Sequence, residues 1–194
     1  MNDADPDPFV QFDRWFAAAM RADVDEPNAM VLSTVDADGA PDSRAVLLKS
    51  FDQSGFIFFS NYGSKKAADM TATPTVALLF VWLPLHRQVR IRGTVEKIPA
   101  SQSDDYFSTR PLGARIGAIA SPQSREIPGR SWLQQRFDEV SARASDRLVR
   151  PDDWGGYLVT PSAFEFWQGR ENRLHDRIRY TRDDAGWSRV RLAP

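Results

Sequence analysis

The stretch of sequence that decides the fold is residues 30–60, MVLSTVDADGAPDSRAVLLKSFDQSGFIFFS. Turn-forming residues at 37–39 and 53–55 divide it into three short runs rich in apolar and β-branched residues, at 30–36, 43–51 and 56–60. Asp-Gly and Ser-Gly pairs between such runs are typical of tight hairpin turns, which join antiparallel strands. The stretch therefore predicts three neighbouring strands.

The same pattern extends outward on both sides. Alternating residues predict further strands at 76–82, 88–97, 155–167, 174–181 and 187–192. Apolar residues at three- and four-residue steps predict an N-terminal helix at about 8–22, and other helices are predicted at 64–70 (with Ser64 as N-cap), 100–109 and 131–144. Short strands with helices between some of them predict a mainly β fold with helical additions, an antiparallel barrel. Its 194 residues are expected to form one domain, 1–194.

The composition argues against several classes of protein. The chain has no cysteine, which excludes disulfide frameworks, Cys–Zn sites and thiol catalysis, and its two histidines argue against a metal centre. A formal net charge of -1 disfavours nucleic-acid binding through bulk charge. No apolar run reaches the roughly 20 residues of a membrane span, and the acidic N-terminus does not resemble a secretory signal. These features predict a cytoplasmic protein without a membrane or nucleic-acid partner.

Basic residues lie beside hydroxyl groups in the early β region. Arg44 and Lys49 are followed by segment 60–66, SNYGSKK, which combines a glycine-bearing turn, a helix start and two lysines. Phosphate groups are bound by charge-assisted hydrogen bonds and often by helix N-termini, so this region is a candidate phosphate site. The alternative is that the two lysines only solvate a surface helix. Arg44 and Lys49 are five residues apart, which on a flat strand places them on opposite faces; a bend or two different ligands would reconcile them.

Two other segments carry candidate ligand-binding residues. Tyr106 and Arg110 are four apart and adjacent on a helix face, where they could grip one anion or form a surface stack. In the strand beginning near residue 87, Gln88 lies on the polar face, which could line a ligand site or meet solvent.

The most informative segment is 165–177, EFWQGRENRLHDR. Arg173, His175 and Arg177 are spaced by two, so on an extended strand they would share one face. Three potential cations on one face repel one another unless an anion lies against them. With Trp167 nearby, the arrangement suits a planar anionic heteroaromatic ligand. The alternative is neutralisation by salt bridges to Glu171, Asp176 or a neighbour in the sheet.

Six motifs in order carry a family resemblance: RAVLLK at 44–49, NYGSKK at 61–66, RQV at 87–89, YFSTRP at 106–111, SPQS at 121–124 and FWQGRENRLHDR at 166–177. The chain then ends in RLAP. Together they resemble the pyridoxine/pyridoxamine 5′-phosphate oxidase family over nearly the whole chain. The resemblance implies the FMN-binding split-barrel fold, an antiparallel split β-barrel, and a homodimer that holds FMN in clefts between its subunits.

The resemblance also implies which residues bind each ligand. The FMN site would comprise Arg44, Val46, Lys49, Phe59, Ser60, Lys65, Lys66, Gln88, Gln123 and Ser124, completed by Trp167 and Arg177 of the partner subunit. The substrate phosphate would be held by Lys49, Tyr106 and Arg110. Arg173 and His175 would lie over the pyridine ring of the substrate as the catalytic residues.

The implied reaction is oxidation of pyridoxamine or pyridoxine 5′-phosphate to pyridoxal 5′-phosphate, with O₂ as acceptor and H₂O₂, and ammonia from the amine, as products. Two departures from the family keep another reaction open: Ala114 stands where the family usually has a serine, and the chain begins near its first helix. One alternative is a related split-barrel flavin oxidase that acts on another ring system, such as a phenazine precursor. A second alternative is a flavin-binding dimer without oxidase activity.

Overall fold

The computed structural model describes residue 1 and residues 4–144 and 148–194. The helices in this part of the chain are α1 (Pro8–Arg21), α2 (Lys65–Ala72), α3 (Ala100–Thr109), α4 (Leu112–Ala120) and α5 (Arg130–Arg143). Helix α1 begins where the Asp7 side chain accepts a hydrogen bond of 2.8 Å from the backbone N–H of Phe9, with Pro8 in the first turn. None of the described helices is both long and apolar enough to span a membrane.

The strands form one antiparallel sheet: β1 (Ala29–Val35), β2 (Pro41–Leu47), β3 (Ser50–Asp52), β4 (Gly55–Asn61), β5 (Thr75–Trp82), β6 (Arg87–Lys97), β7 (Trp154–Gln168), β8 (Asp176–Asp183) and β9 (Gly186–Leu192). The strand order is β2-β1-β5-β6-β7-β4-β3. The long strand β7 pairs with β6 along most of its length, with β4 through its first half and with β8 through its second half. The sheet therefore divides at β7 and curls into a half-barrel, which confirms the mainly β, antiparallel split barrel with helical additions.

Aromatic rings fill the core between the curled sheet and helix α1. Phe12 of α1 makes edge contacts with Phe56 of β4 and Phe80 of β5, at ring-centre distances of 4.9 Å and 5.1 Å. The predicted alternation in β6 is confirmed, because Val89 and Ile91 are buried while Arg90, between them, is exposed. Burial of these aromatic rings contributes strongly to the hydrophobic stabilisation, since each aromatic side chain removes a large apolar area from water.

The predicted strand 43–51 is wrong as a single element, because it is two strands separated by Leu48 and Lys49. The Leu48 N–H donates to the Asn28 carbonyl oxygen, at the end of the β1–β2 pairing, whereas the Lys49 N–H donates to the carbonyl oxygen of Ile57 in β4. The chain thus leaves one strand partner and joins another at this point. This break removes the difficulty posed by the five-residue spacing of Arg44 and Lys49.

The structure differs from the sequence analysis at two other places between residues 112 and 176. Helix α4 was not predicted, because two glycines interrupt an apolar segment of only nine residues. The predicted strand 174–181 begins instead at Asp176, after a short 3-10 turn in which Asn172 and Arg173 adopt positive φ angles of 54° and 60°. Arg173, His175 and Arg177 are therefore not on one face of a single strand, as the sequence spacing predicted.

Candidate functional site

A cleft of about 1120 Å³ is lined by strands β2 and β4 and by helices α2, α3 and α4. The break after β2 brings both Arg44 and Lys49 to this cleft, and Ala114 of α4 also lines it. The predicted ligand-binding residues in the lining are Arg44, Val46, Lys49, Phe59, Ser60, Lys65, Lys66, Tyr106, Arg110, Gln123 and Ser124. Residues from widely separated motifs thus meet in one cavity.

Lys66 is a buried cation that faces this cleft from the first turn of α2. Its ammonium group donates to the Ser60 hydroxyl and to the Gln123 amide oxygen, both at 3.2 Å. Burial and the nearby Arg44 guanidinium hold the pKa of Lys66 below its ordinary value, and the charge of Asp69 partly opposes this shift. An ammonium group held by two uncharged oxygens beside another cation is a favourable site for an anion.

Arg44 extends from β2 to the cleft, where hydrogen bonds and an ion pair hold its guanidinium in place. Its guanidinium donates to the Thr34 hydroxyl at 2.7 Å and to the Leu32 carbonyl oxygen at 3.2 Å, and pairs with the Asp42 carboxylate at 2.7 Å. Ser64 occupies the N-cap position of α2 as predicted, but its hydroxyl donates to the Asn61 carbonyl oxygen instead of capping the helix.

The α3 end of the cleft is built from stacked rings. The rings of Tyr106 and Phe59 are nearly parallel with centres 3.9 Å apart, and Phe59 also stacks on Trp154. Gly156 allows this stack, because a Cβ atom there would lie 2.9 Å from the Phe59 ring. Trp154 was missed by sequence analysis, although an aromatic residue directly before two glycines is a signal of close packing.

Arg110 lies on this stack at the end of α3. Its guanidinium carbon is 4.6 Å from the centre of the Trp154 ring, and its Nη1 atom is buried with no hydrogen-bond partner among the described residues. Burial lowers the pKa of Arg110, although the neighbouring Tyr106 opposes that shift. An unpaired buried donor costs roughly 1–3 kcal/mol, which an anionic ligand would offset. The residues of the cleft therefore fit a ligand that carries phosphate.

A second cluster of predicted residues lies outside the cleft, on β6, β7, β8 and the turn before β8. Gln88 and Arg177 flank Trp167 in the sheet register. The His175 and Trp167 rings are 4.7 Å apart, and both line a separate cavity of about 740 Å³. Arg173, in the left-handed turn, is exposed.

Arg177 is neutralised within the sheet. Its guanidinium donates two hydrogen bonds, of 2.8 Å and 3.0 Å, to one carboxylate oxygen of Glu165 on β7. The salt-bridge alternative stated from the sequence thus describes Arg177, with a sheet neighbour as its partner. His175 has a different kind of contact: its Nδ1 atom accepts a hydrogen bond of 3.1 Å from the backbone N–H of Arg170.

Comparison with known protein families identifies the chain. Residues 16–144 match the family described as "Pyridoxamine 5'-phosphate oxidase". Residues 154–194 match "Pyridoxine 5'-phosphate oxidase C-terminal dimerisation region", which includes Trp167, Arg173, His175 and Arg177. The chain belongs to the pyridoxamine 5′-phosphate oxidase family. Its membership confirms the resemblance stated from the sequence motifs.

Individual family members and related structures cover nearly the whole chain. A protein named pyridoxine/pyridoxamine 5′-phosphate oxidase from Burkholderia vietnamiensis is 56% identical over 195 residues, which cover 99% of this chain and 91% of that protein. Its counterpart from Cupriavidus taiwanensis is 55% identical, with coverage of 100% and 92%. The crystal structure of PhzG from Burkholderia lata in complex with tetrahydrophenazine-1-carboxylic acid superposes with a TM-score of 0.94 at 32% identity, covering 100% of this chain and 95% of that one.

A more distant structure agrees on the fold alone. A pyridoxamine 5′-phosphate oxidase-related, FMN-binding protein from Nostoc punctiforme has a TM-score of 0.78 at 17% identity, covering 97% of this chain and 98% of that one. The split-barrel fold is thus shared with both solved structures, and the named relatives place the chain in a family of oxidoreductases.

Proposed function

We propose that this chain is an FMN-dependent oxidase that converts pyridoxamine or pyridoxine 5′-phosphate to pyridoxal 5′-phosphate. O₂ would be the acceptor, with H₂O₂ as product and ammonia released from the amine substrate. The observation that carries the proposal is the presence of two cationic groups in one cleft, around Lys66 and around Arg110. The cofactor and the substrate of this reaction each carry a phosphate, so the chemistry requires two anion sites.

The proposed cofactor site uses the residues at the α2 side of the cleft. Arg44, Lys65 and Lys66 would hold the phosphate of FMN, with the Ser60 hydroxyl beside them. Gln123 and Ser124, with Val46, would line the rest of the cofactor site. When bound, FMN would supply a hydride acceptor and transfer electrons on to O₂, chemistry that no protein side chain provides.

The proposed substrate site uses the α3 side of the cleft. Lys49, Tyr106 and Arg110 would hold the substrate phosphate, and the buried Nη1 atom of Arg110 would gain the partner that it lacks within the chain. The stack of Phe59 and Trp154 keeps water from one side of the guanidinium, which strengthens its attraction to an anion.

We infer that the complete site needs two copies of the chain. Gln88, Trp167, Arg173, His175 and Arg177 do not line the cleft of their own chain. All except Gln88 lie in the segment that matches the dimerisation region of the family. A homodimer in which Trp167, Arg173 and His175 of the partner subunit cover the cleft would bring the two clusters together.

A cytoplasmic location stays a prediction.

Similarity to PhzG favours a second candidate function, oxidation of a phenazine precursor. The PhzG structure contains a tricyclic carboxylic acid and superposes over the full length of this chain. Ala114, which lines the cleft, lacks the hydroxyl that the family usually offers to the substrate phosphate. The cations around Arg110 and the higher identity to relatives named pyridoxine/pyridoxamine 5′-phosphate oxidase favour the phosphate ester.

Turnover of phosphorylated and unphosphorylated pyridoxine separates the two functions. We expect the FMN-loaded protein to release H₂O₂ with pyridoxine 5′-phosphate, and kcat/KM for pyridoxine itself to be at least about a hundredfold lower, because Lys49 and Arg110 then have no anion to bind. The assay measures peroxide at matched concentrations of the two substrates. Equal turnover of both would favour the second candidate, and no peroxide with either vitamer phosphate would refute the oxidase proposal.

A further inference from the structure

Asp69 on α2 is a buried carboxylate beside a cleft that is otherwise suited to anions. It is only 3% exposed and does not line the cleft itself. Its carboxylate accepts a hydrogen bond of 2.7 Å from the Thr34 hydroxyl and one of 3.1 Å from the Lys65 ammonium, and it lies 3.6 Å from the guanidinium of Arg44. A buried negative charge in this position repels an incoming phosphate, so its presence calls for a compensating role.

The hydrogen-bond geometry indicates that role. The Thr34 hydroxyl donates to Asp69 and accepts from Arg44, so Asp69 fixes the direction in which the hydroxyl receives the guanidinium. Lys65 is half-exposed and has a long flexible side chain. Asp69, four residues later in the same helix, restricts that side chain by an ion pair. The two cations are thereby ordered before any ligand arrives, which lowers the entropy cost of binding.

The charge of Asp69 also acts on the neighbouring cations. Burial alone would raise the pKa of Asp69, but the hydrogen bonds from Thr34 and Lys65 and the charges of Lys65 and Arg44 outweigh it and hold that pKa below its ordinary value. Asp69 therefore stays ionised at neutral pH. Its charge supports the protonated form of Lys66, which burial and Arg44 both disfavour.

We propose that Asp69 is a positioning residue for the phosphate of the cofactor, although Asp69 itself does not contact that phosphate. It holds Arg44 and Lys65 facing the cleft, and its charge favours the protonated form of Lys66. This inference rests on the proposed binding of FMN.

The test compares FMN with riboflavin, which lacks the phosphate, in titrations of the apo-protein. We expect Asp69→Asn to weaken FMN binding about tenfold and to change riboflavin binding less than about twofold, because only the phosphate uses the ordered cations. Asp36→Asn is the matched control, since Asp36 lies 3.9 Å from the same lysine and forms no ion pair with Arg44 among the described residues. It should leave both affinities unchanged.

A pH series adds a readout that a merely structural role would not change. The charged groups that act on Lys66 are Arg44 from β2 and Asp69 from α2, whereas Asp36, Asp42 and Asp69 act on the neighbouring Lys65. FMN binding needs protonated Lys66, so affinity is present below the pKa of Lys66 and is lost as the pH rises through it. Without the charge of Asp69 that loss should begin at lower pH.

The outcomes separate this inference from the proposed function. Failure of the wild-type protein to bind FMN would refute the proposed function itself. FMN affinity in Asp69→Asn equal to or tighter than wild type, or an equal loss for FMN and riboflavin, would overturn the positioning role. If Asp69→Asn fails to fold, Thr34→Val removes the hydroxyl that joins Arg44 to Asp69 and should weaken FMN binding without weakening riboflavin binding. An unchanged FMN affinity in Thr34→Val would also overturn the positioning role.

Discussion

Replacing Arg173 and His175 together by alanine should lower kcat/KM for pyridoxine 5′-phosphate at least about a hundredfold, or roughly 2.7 kcal/mol of transition-state stabilisation, while FMN stays bound. The reason is that these side chains are proposed to orient the substrate ring. Arg173 is exposed in a left-handed turn and His175 lies against Trp167, so neither contributes to the core. Steady-state peroxide release and the visible spectrum of the purified variant measure the two effects.

The matched control is Arg179→Ala, which removes an exposed arginine from β8 outside both clusters of predicted residues. It should retain wild-type turnover. If Arg173 and His175 can be removed with less than about a threefold loss of turnover, they are not catalytic residues. Loss of folding in the double variant would show instead that they are structural residues.

Replacing Lys66 by alanine should weaken FMN binding by roughly 1.5–3 kcal/mol, which is about a 10- to 150-fold rise in the dissociation constant. The substitution removes a buried cation whose neighbours are hydroxyl and amide oxygens, so no other group at that position replaces the charge. Titration of the apo-protein with FMN, followed by quenching of flavin fluorescence, measures the effect.

Lys97→Ala controls for the loss of a lysine, because the Lys97 ammonium lies over the Tyr62 ring, outside the lining of the cleft. It should bind FMN as tightly as the wild type. An unchanged dissociation constant for Lys66→Ala would remove Lys66 from the cofactor site.

Local sequence pattern was sufficient to predict the bounds of an element that has a regular partner along its whole length. Strand β6 alternates buried and exposed residues, and its bounds differ from the prediction by only one residue at the N-terminal end. The break at Leu48 could not be predicted, because both halves of 43–51 favour strands. The change of partner there depends on the carbonyl oxygens of Asn28 and Ile57, which are distant in sequence.

The candidate site was predictable where motifs carry charge, and not where side chains act through neighbours. Arg44, Lys66 and Arg110 were named from charge and family motifs. Asp69 was missed because a buried carboxylate has no local signature, and Trp154 was missed although two glycines follow it directly. Their roles arise only when α2, β1 and β7 are packed together. The spacing of Arg173, His175 and Arg177 gave a wrong prediction, because a left-handed turn stands where the sequence analysis assumed an extended strand.

The most direct test of a site shared between two chains is the turnover of a defined mixed dimer. One chain carries Arg110→Ala, which disables the cleft, and the other carries Arg173→Ala with His175→Ala; two different affinity tags isolate the dimer that contains one of each. Each parent homodimer should be nearly inactive. The mixed dimer should recover about half of the wild-type kcat per dimer, because one of its two sites then has neither defect. Turnover as low as that of the parents would contradict a site assembled from two chains.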